Sequence, residues 1–263
     1  MDLCNLAVLL VPGAWHTGRH YETSIDEADA IGILVDVVSM PSARRSPSAY
    51  DFDRDVAEIS LKLVGLFARR KKVLLVTHGY YGSLPACDAV SSVEGMAHGN
   101  LVGIMFVAAQ IPFPGLSLRL LIDQDLPEWV EFQVTLPSRN RNAPSNALKG
   151  NECSASQAVD IFYNKSPLSV RNELAQSLVP MSTFVVEHLT ESEDWANYPC
   201  YYVKCGNDQA LPIAEQEANI KRLQYIRVLE LADSDHLPFE SSTRELLGLV
   251  VKAARGQFLY WIY

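Results

Sequence analysis

The 263-residue chain has no apolar run near the roughly 20 residues that a bilayer span requires, so no membrane partner is expected. It is poor in cysteine: Cys4, Cys87, Cys153, Cys200 and Cys205 are odd in number and scattered, and no C-x-x-C pair occurs. That pattern excludes both a disulfide framework and a structural zinc site, and it fits a reducing, cytoplasmic setting. Positive charge is scarce. The formal net charge is -9, and the patches Arg44-Arg45 and Arg69 to Lys72 are too short to offset it, so nucleic acid is not an expected partner. There is no glycine-rich phosphate loop and no His, Cys, Asp and Glu set at zinc or calcium spacing, so neither a metal nor another cofactor is implied. The opening MDLCNLAVLLVPG has a short apolar run without a basic leader and reads as a buried strand rather than a signal peptide.

What is present is an alternation of strands and helices. Leu6 to Val11 is continuously apolar and stops at Pro12-Gly13, as a strand buried on both faces does. Ile33 to Val38, Val73 to Thr77, Leu101 to Ala108, Tyr198 to Cys205 and Ile226 to Leu231 read as further strands. Asp51 to Arg70 places Val56, Ile59, Leu63 and Phe67 at helical spacing, with acids in its first turn and bases in its last. A second helix should run from Ile213 to Leu223. Such alternation predicts an α/β fold with a mostly parallel sheet and right-handed crossovers. Residues 1–109 and 196–263 are expected to form this core. The stretch 110–195 shows no strong strand, several short amphipathic segments and a polar loop from Ser138 to Asn146, and it reads as a helical cap over the carboxyl end of the sheet.

The segment LLVTHGYYGS is strand, sharp turn, helix, the arrangement of a nucleophile elbow. The five positions of the G-x-S-x-G pattern read Thr77-His78-Gly79-Tyr80-Tyr81, so Gly79 stands in the serine slot and the flanking glycines are replaced too. The partners of a serine nucleophile follow it in the order acid, then histidine, and both are found: Asp208 in KCGNDQALP at a strand's end, and His236 in DSDHLPF after the last strand. Asp233 and Asp235 share the loop of His236 and are expected to be solvated. His78 should pack beneath the turn. The loop VPGAWH follows the first strand as an oxyanion-hole loop would, with backbone amides expected from Ala14 and Tyr80. Trp15, His16, Tyr81, Trp129 and Phe162 are the expected walls of an apolar substrate pocket.

In order and spacing these motifs resemble the α/β-hydrolase superfamily, and within it a small esterase-like and hydroxynitrile-lyase-like branch. The resemblance extends over nearly the whole chain, and the cap segment DIFYNKSPLSVRNELAQSLVPMS is similar to a segment of fungal members. It implies a single α/β-hydrolase domain and a polyketide- or terpenoid-like intermediate of secondary metabolism as the substrate, bound by one chain or by a homodimer. Because an acyl-enzyme needs a hydroxyl that Gly79 lacks, the expected chemistry is non-hydrolytic. His236, oriented by Asp208, would move a proton in an isomerisation, an elimination or retro-aldol cleavage, or an intramolecular cyclisation. Two alternatives accompany this reading: an esterase inactivated by Gly79, and a protein that binds a small ligand without chemistry.

Overall fold

Apolar strands that carry no polar face can be satisfied only inside a sheet covered on both sides. A computed structural model describes residues 3–43, 50–122, 127–133, 152–223 and 225–257, and in it those strands form one six-stranded sheet. Its members are β1 (Leu6–Val11), β2 (Leu34–Val37), β3 (Lys72–His78), β4 (Leu101–Val107), β8 (Cys200–Cys205) and β9 (Arg227–Leu231), in the order β2-β1-β3-β4-β8-β9. Every pairing in it is parallel. The residues of β1 are all buried, as are those of β3 after Lys72, which makes these two the centre of the sheet. The chain is an α/β-hydrolase fold, with the expected strands displaced by no more than two residues at any end.

Helices supply the cover. α1 (Glu22–Ala30) and the final helix α6 (Thr243–Ala254) pack on each other, α6 burying Leu246, Leu247, Val250 and Ala253. α2 (Asp51–Ala68) buries Phe52, Ile59, Leu63 and Phe67 and lies against α3 (Ser83–Ser92). Gly82 has to be glycine for α3 to start where it does, since a Cβ there would lie 2.6 Å from the Pro12 carbonyl oxygen.

Between β4 and β8 the chain forms the cap, and here the expectation of an all-helical insertion is corrected. Val130–Gln133 (β5), Glu152–Ala155 (β6) and Met181–Ser182 (β7) make a small antiparallel sheet. The helix α4 (Leu168–Gln176) follows β6, and α5 (Ile213–Lys221) follows β8. The polar strand sequence ECSA carries no apolar period, and β5 and β6 are remote in sequence, so local patterning could not reveal their pairing. The pair Arg44-Arg45, the loop Ser138 to Asn146 and the last residues from Phe258 lie outside the described residues.

Tyr81, expected in the pocket, is instead an anchor below the turn after β3. Its hydroxyl donates to Asp55 Oδ2 on α2 at 2.6 Å, and the Ser42 amide donates to Oδ1 at 2.9 Å. Burial pushes the Asp55 carboxyl up to about 6 despite these bonds. A carboxyl that is more basic when folded adds stability below about pH 4, and that contribution is lost as pH rises through 6. Tyr81→Phe removes a donor from the ionised group, so thermal or denaturant melts should show a loss of about 2 kcal/mol at pH 7.5 and a smaller one at pH 5. An equal loss at both values would contradict this role.

Candidate active site

Two loops at the carboxyl end of the sheet bring the acid and the histidine together. After β8, Asp208 turns back on its own chain, and its Oδ1 accepts the Ala210 and Leu211 amides, each at 2.8 Å. Gln216 of α5 clamps the same loop, its side chain bonded to Cys205 N, Cys205 O and Leu211 O. With one oxygen spent locally, Asp208 Oδ2 meets His236 Nδ1 at 2.8 Å. A carboxylate only accepts, so Nδ1 carries the proton and Nε2 keeps its lone pair.

His236 Nε2 faces the apex of the turn between β3 and α3. That apex is Gly79, in the left-handed region at φ +65. A Cβ at residue 79 would stand 3.0 Å from His236 Nε2 and 3.4 Å from Gly13 Cα, so the imidazole occupies the space into which a side chain would project. Among the described residues, Nε2 has no hydrogen-bond partner. The Tyr80 amide follows the glycine in the chain, and the Ala14 amide follows Gly13, whose Cα packs against it; among the described residues neither has a backbone acceptor. Ser83, four residues beyond the glycine, gives its hydroxyl hydrogen to the Gln110 carbonyl and not to His236. The Tyr80 hydroxyl donates to Ala210 O at 2.7 Å, and burial raises its pKa, so it is a bound donor rather than a free acid.

Four buried histidine rings meet here. His78 lies under the turn as expected: its Nε2 donates to the His236 carbonyl at 2.7 Å, and its Nδ1 accepts from Tyr21 Oη at 2.9 Å. Tyr21 Oη in turn accepts the Gly13 amide at 3.1 Å, which ties the Ala14 loop to the His236 loop. His16 donates Nδ1–H to Ala14 O at 2.7 Å and accepts from the Tyr163 hydroxyl at 3.2 Å. Burial holds His16, His20 and His78 below the ordinary histidine range. Among the described residues, no group of three or more His, Cys, Asp or Glu is placed to hold a metal ion.

The cap segment closes over the pair. Phe162 lies 5.3 Å from the His236 ring and stacks on Trp15 at 6.1 Å, while Trp129 meets Phe162 edge-on at 5.2 Å. Trp15 itself holds a left-handed backbone, φ 66, which a non-glycine residue keeps only when its surroundings fix it. Asp235, expected to be solvated, is wholly buried. Its Oδ2 accepts the Lys165 amide of the cap at 2.9 Å, and its Oδ1 accepts Leu237 N and the Ser241 hydroxyl. Asp235 thus joins the cap to the loop of His236, a role without a local sequence signal. Tyr80, Gln110, Ala210 and Trp129 help to line a cavity of about 430 Å³; the dyad does not line it directly, but Ala210 follows Asp208 closely in its loop and Tyr80 follows Gly79. A smaller, apolar void is bounded by Ala14, Trp15, Tyr80 and Trp129. His16, Tyr81 and Phe162, expected as pocket walls, line neither space; His16 and Phe162 pack around His236 instead.

A sequence profile of the alpha/beta hydrolase family matches residues 8–248. The chain belongs to the alpha/beta hydrolase family. Among its relatives, methylesterase 7 of Arabidopsis thaliana is 28% identical over 255 residues, covering 92% of each protein. The alpha/beta hydrolase nvfD of Aspergillus novofumigatus is 25% identical over 254 residues, covering 95% of this chain and 97% of that protein. Tomato methylketone synthase I, solved with 2-tridecanone, superposes with a TM-score of 0.74 at 17% identity, covering 95% of this chain and 98% of that one. The family profile and these relatives agree with the parallel sheet described above.

The neutral histidines set a pH dependence. Their pKa values fall on folding, so the unfolded chain takes up protons first. Stability is therefore complete above about pH 6.5 and is lost as pH falls below it. Asp55 acts in the opposite sense over an overlapping range, so the comparison with a variant carries the test. His16→Gln should lose less stability than the wild type between pH 7 and pH 5.5 in thermal melts. An unchanged slope would contradict the assignment.

Proposed function

We propose that this alpha/beta hydrolase family protein is a non-hydrolytic enzyme in which the dyad His236 and Asp208 transfers a proton on a small, largely apolar substrate. The observation that carries the reading is the geometry at residue 79. The imidazole nitrogen that would activate a serine faces a glycine, and no hydroxyl or thiol among the described residues is bonded to it. Gly79 takes the place of the nucleophile of serine hydrolases. An acyl-enzyme has nothing to form on, although methylesterases are among the relatives.

In this reading His236 Nε2 removes a proton from carbon next to a carbonyl. The electron pair moves to the carbonyl oxygen, and the amides of Ala14 and Tyr80 hold the resulting enolate. The imidazolium remains paired with Asp208. Returning its proton to a different carbon is isomerisation, and returning it to a departing oxygen is elimination. Proton transfer from a hydroxyl with carbon–carbon cleavage is the retro-aldol case. Attack of the enolate carbon on an electrophile in the same molecule is cyclisation, which gains most from a cap that holds the reacting ends together. None of these steps needs a redox partner or a metal. The similarity of the cap segment to fungal members favours a polyketide- or terpenoid-like substrate, and an Aspergillus protein is among the relatives.

Deuterium exchange of an enolisable ketone such as 2-decalone in D2O, followed by proton NMR, tests the proposal without knowledge of the natural substrate. The wild type should accelerate exchange at the carbons beside the carbonyl, and His236→Ala should lose about 10²- to 10⁴-fold of that rate. Asp208→Asn should lose a substantial part of it. No acceleration, or equal rates in His236→Ala, would refute the reading. A fluorophosphonate probe for serine nucleophiles should leave the protein unlabelled. Gly79→Ser should not confer aryl-ester hydrolysis, because the new Cβ would sit on a left-handed backbone 3.0 Å from Nε2 and press the imidazole out of line by a few tenths of an ångström. Appreciable hydrolysis would favour a merely disabled esterase.

A further inference from the structure

The larger cavity is not the plain apolar slot that the sequence suggests. Trp129, Leu121 and Ile122 of the cap form one side, but Gln110, Asn219 and Glu215 also line it. Gln110 is the informative residue. It follows the carboxyl end of β4, is 2% exposed, and its Oε1 is a buried acceptor without a hydrogen-bond partner among the described residues. Its main chain is held on both sides: Gln110 N donates to the Gly79 carbonyl at 3.2 Å, and Gln110 O accepts the Ser83 hydroxyl. The main chain that carries the amide is thus bonded directly to Gly79, Gln110 lines a cavity of about 430 Å³, and its side-chain oxygen is buried without a partner among the described residues. Buried polar atoms nearly always have partners, and leaving one without a partner is costly. Among the described residues, none bonds this oxygen.

We propose that Gln110 is a specificity-determining residue: its side-chain amide receives a hydroxyl group of the substrate, so that the ligand class is an oxygenated rather than a purely hydrocarbon skeleton. This rests on the larger cavity being the substrate site of the proposed enzyme. The apolar cap side takes the skeleton, and the strand side takes its oxygen. Glu215 on α5, whose pKa burial raises, adds a further polar edge to the same wall.

The test uses 2-naphthol and 2-methylnaphthalene, which match in size and differ by hydroxyl against methyl. Their affinities for the wild type and for Gln110→Met are measured by calorimetry or ligand-observed NMR. Transfer from water cancels when the 2-naphthol to 2-methylnaphthalene affinity ratio is compared between the two proteins. That ratio should fall on the order of tenfold in Gln110→Met, the size of one net hydrogen bond. In case Gln110→Met does not fold, the side-chain amide resonances of Gln110 in wild-type protein should shift with 2-naphthol and stay in place with 2-methylnaphthalene. An unchanged ratio, unmoved resonances, or no binding of 2-naphthol up to its solubility limit would overturn the proposal; a cavity whose amide is merely hydrated gives that result. His236→Ala should keep the wild-type ratio, since Gln110 binds and does not catalyse. A ratio that depends on Gln110 in a protein showing no His236-dependent exchange would uphold this site and remove the catalytic reading, so the two failures are distinguishable.

Discussion

The bond from His236 Nδ1 to Asp208 Oδ2 decides which nitrogen of the ring is left over, and everything else in the site is arranged around that nitrogen. Asp208 can serve this purpose because its other oxygen is occupied by two amides of its own turn and its loop is clamped by Gln216. The ring is also fixed from beneath, through its own carbonyl, by His78. Since His78 is in turn bonded to Tyr21, and Tyr21 to the Gly13 amide, displacement of any one member moves the base and the loop of the Ala14 amide together.

A base in a closed, apolar setting is useful only if its neighbours do not compete with it for protons. His16, His20 and His78 lie close by, yet burial keeps all three neutral and their nitrogens are engaged by carbonyls, an amide or tyrosine hydroxyls. Phe162 and Trp15 then exclude water from the ring, which strengthens any interaction the Ala14 and Tyr80 amides make with developing negative charge. The cap is held in register by polar links to the loops of His236 and Asp208, through Lys165 to Asp235 and Asn164 to Asn207.

Much of this could be read in the residues. Continuous apolar runs give the strands of the central sheet, because a strand buried on both faces leaves no polar alternation to obscure it. Asp208 and His236 announce themselves by their positions after β8 and β9. What the sequence hides are contacts between distant segments. Asp235 looks like a solvated loop acid until the cap amide of Lys165 is brought against it, and Tyr163 gains a role only when it meets His16. Tyr81 appears to face the pocket because its neighbours do, whereas the turn directs it down to Asp55. The small cap sheet is built from strands of two to four residues, of which ECSA is mostly polar, and four residues are too few for the alternation of VEFQ to stand out as a strand. Gln110 lies just past an apolar strand, and only the cavity that it lines sets it apart from any other residue of a loop.

The protonation state of His236 tests the central claim most directly. Long-range proton–nitrogen NMR spectra of histidine-labelled protein at neutral pH should show its Nδ1 protonated and its Nε2 bare, with that tautomer weakened in Asp208→Asn. A ring protonated at Nε2 alone in the wild type would mean that the nitrogen above Gly79 is no base, and it would contradict proton transfer by the dyad.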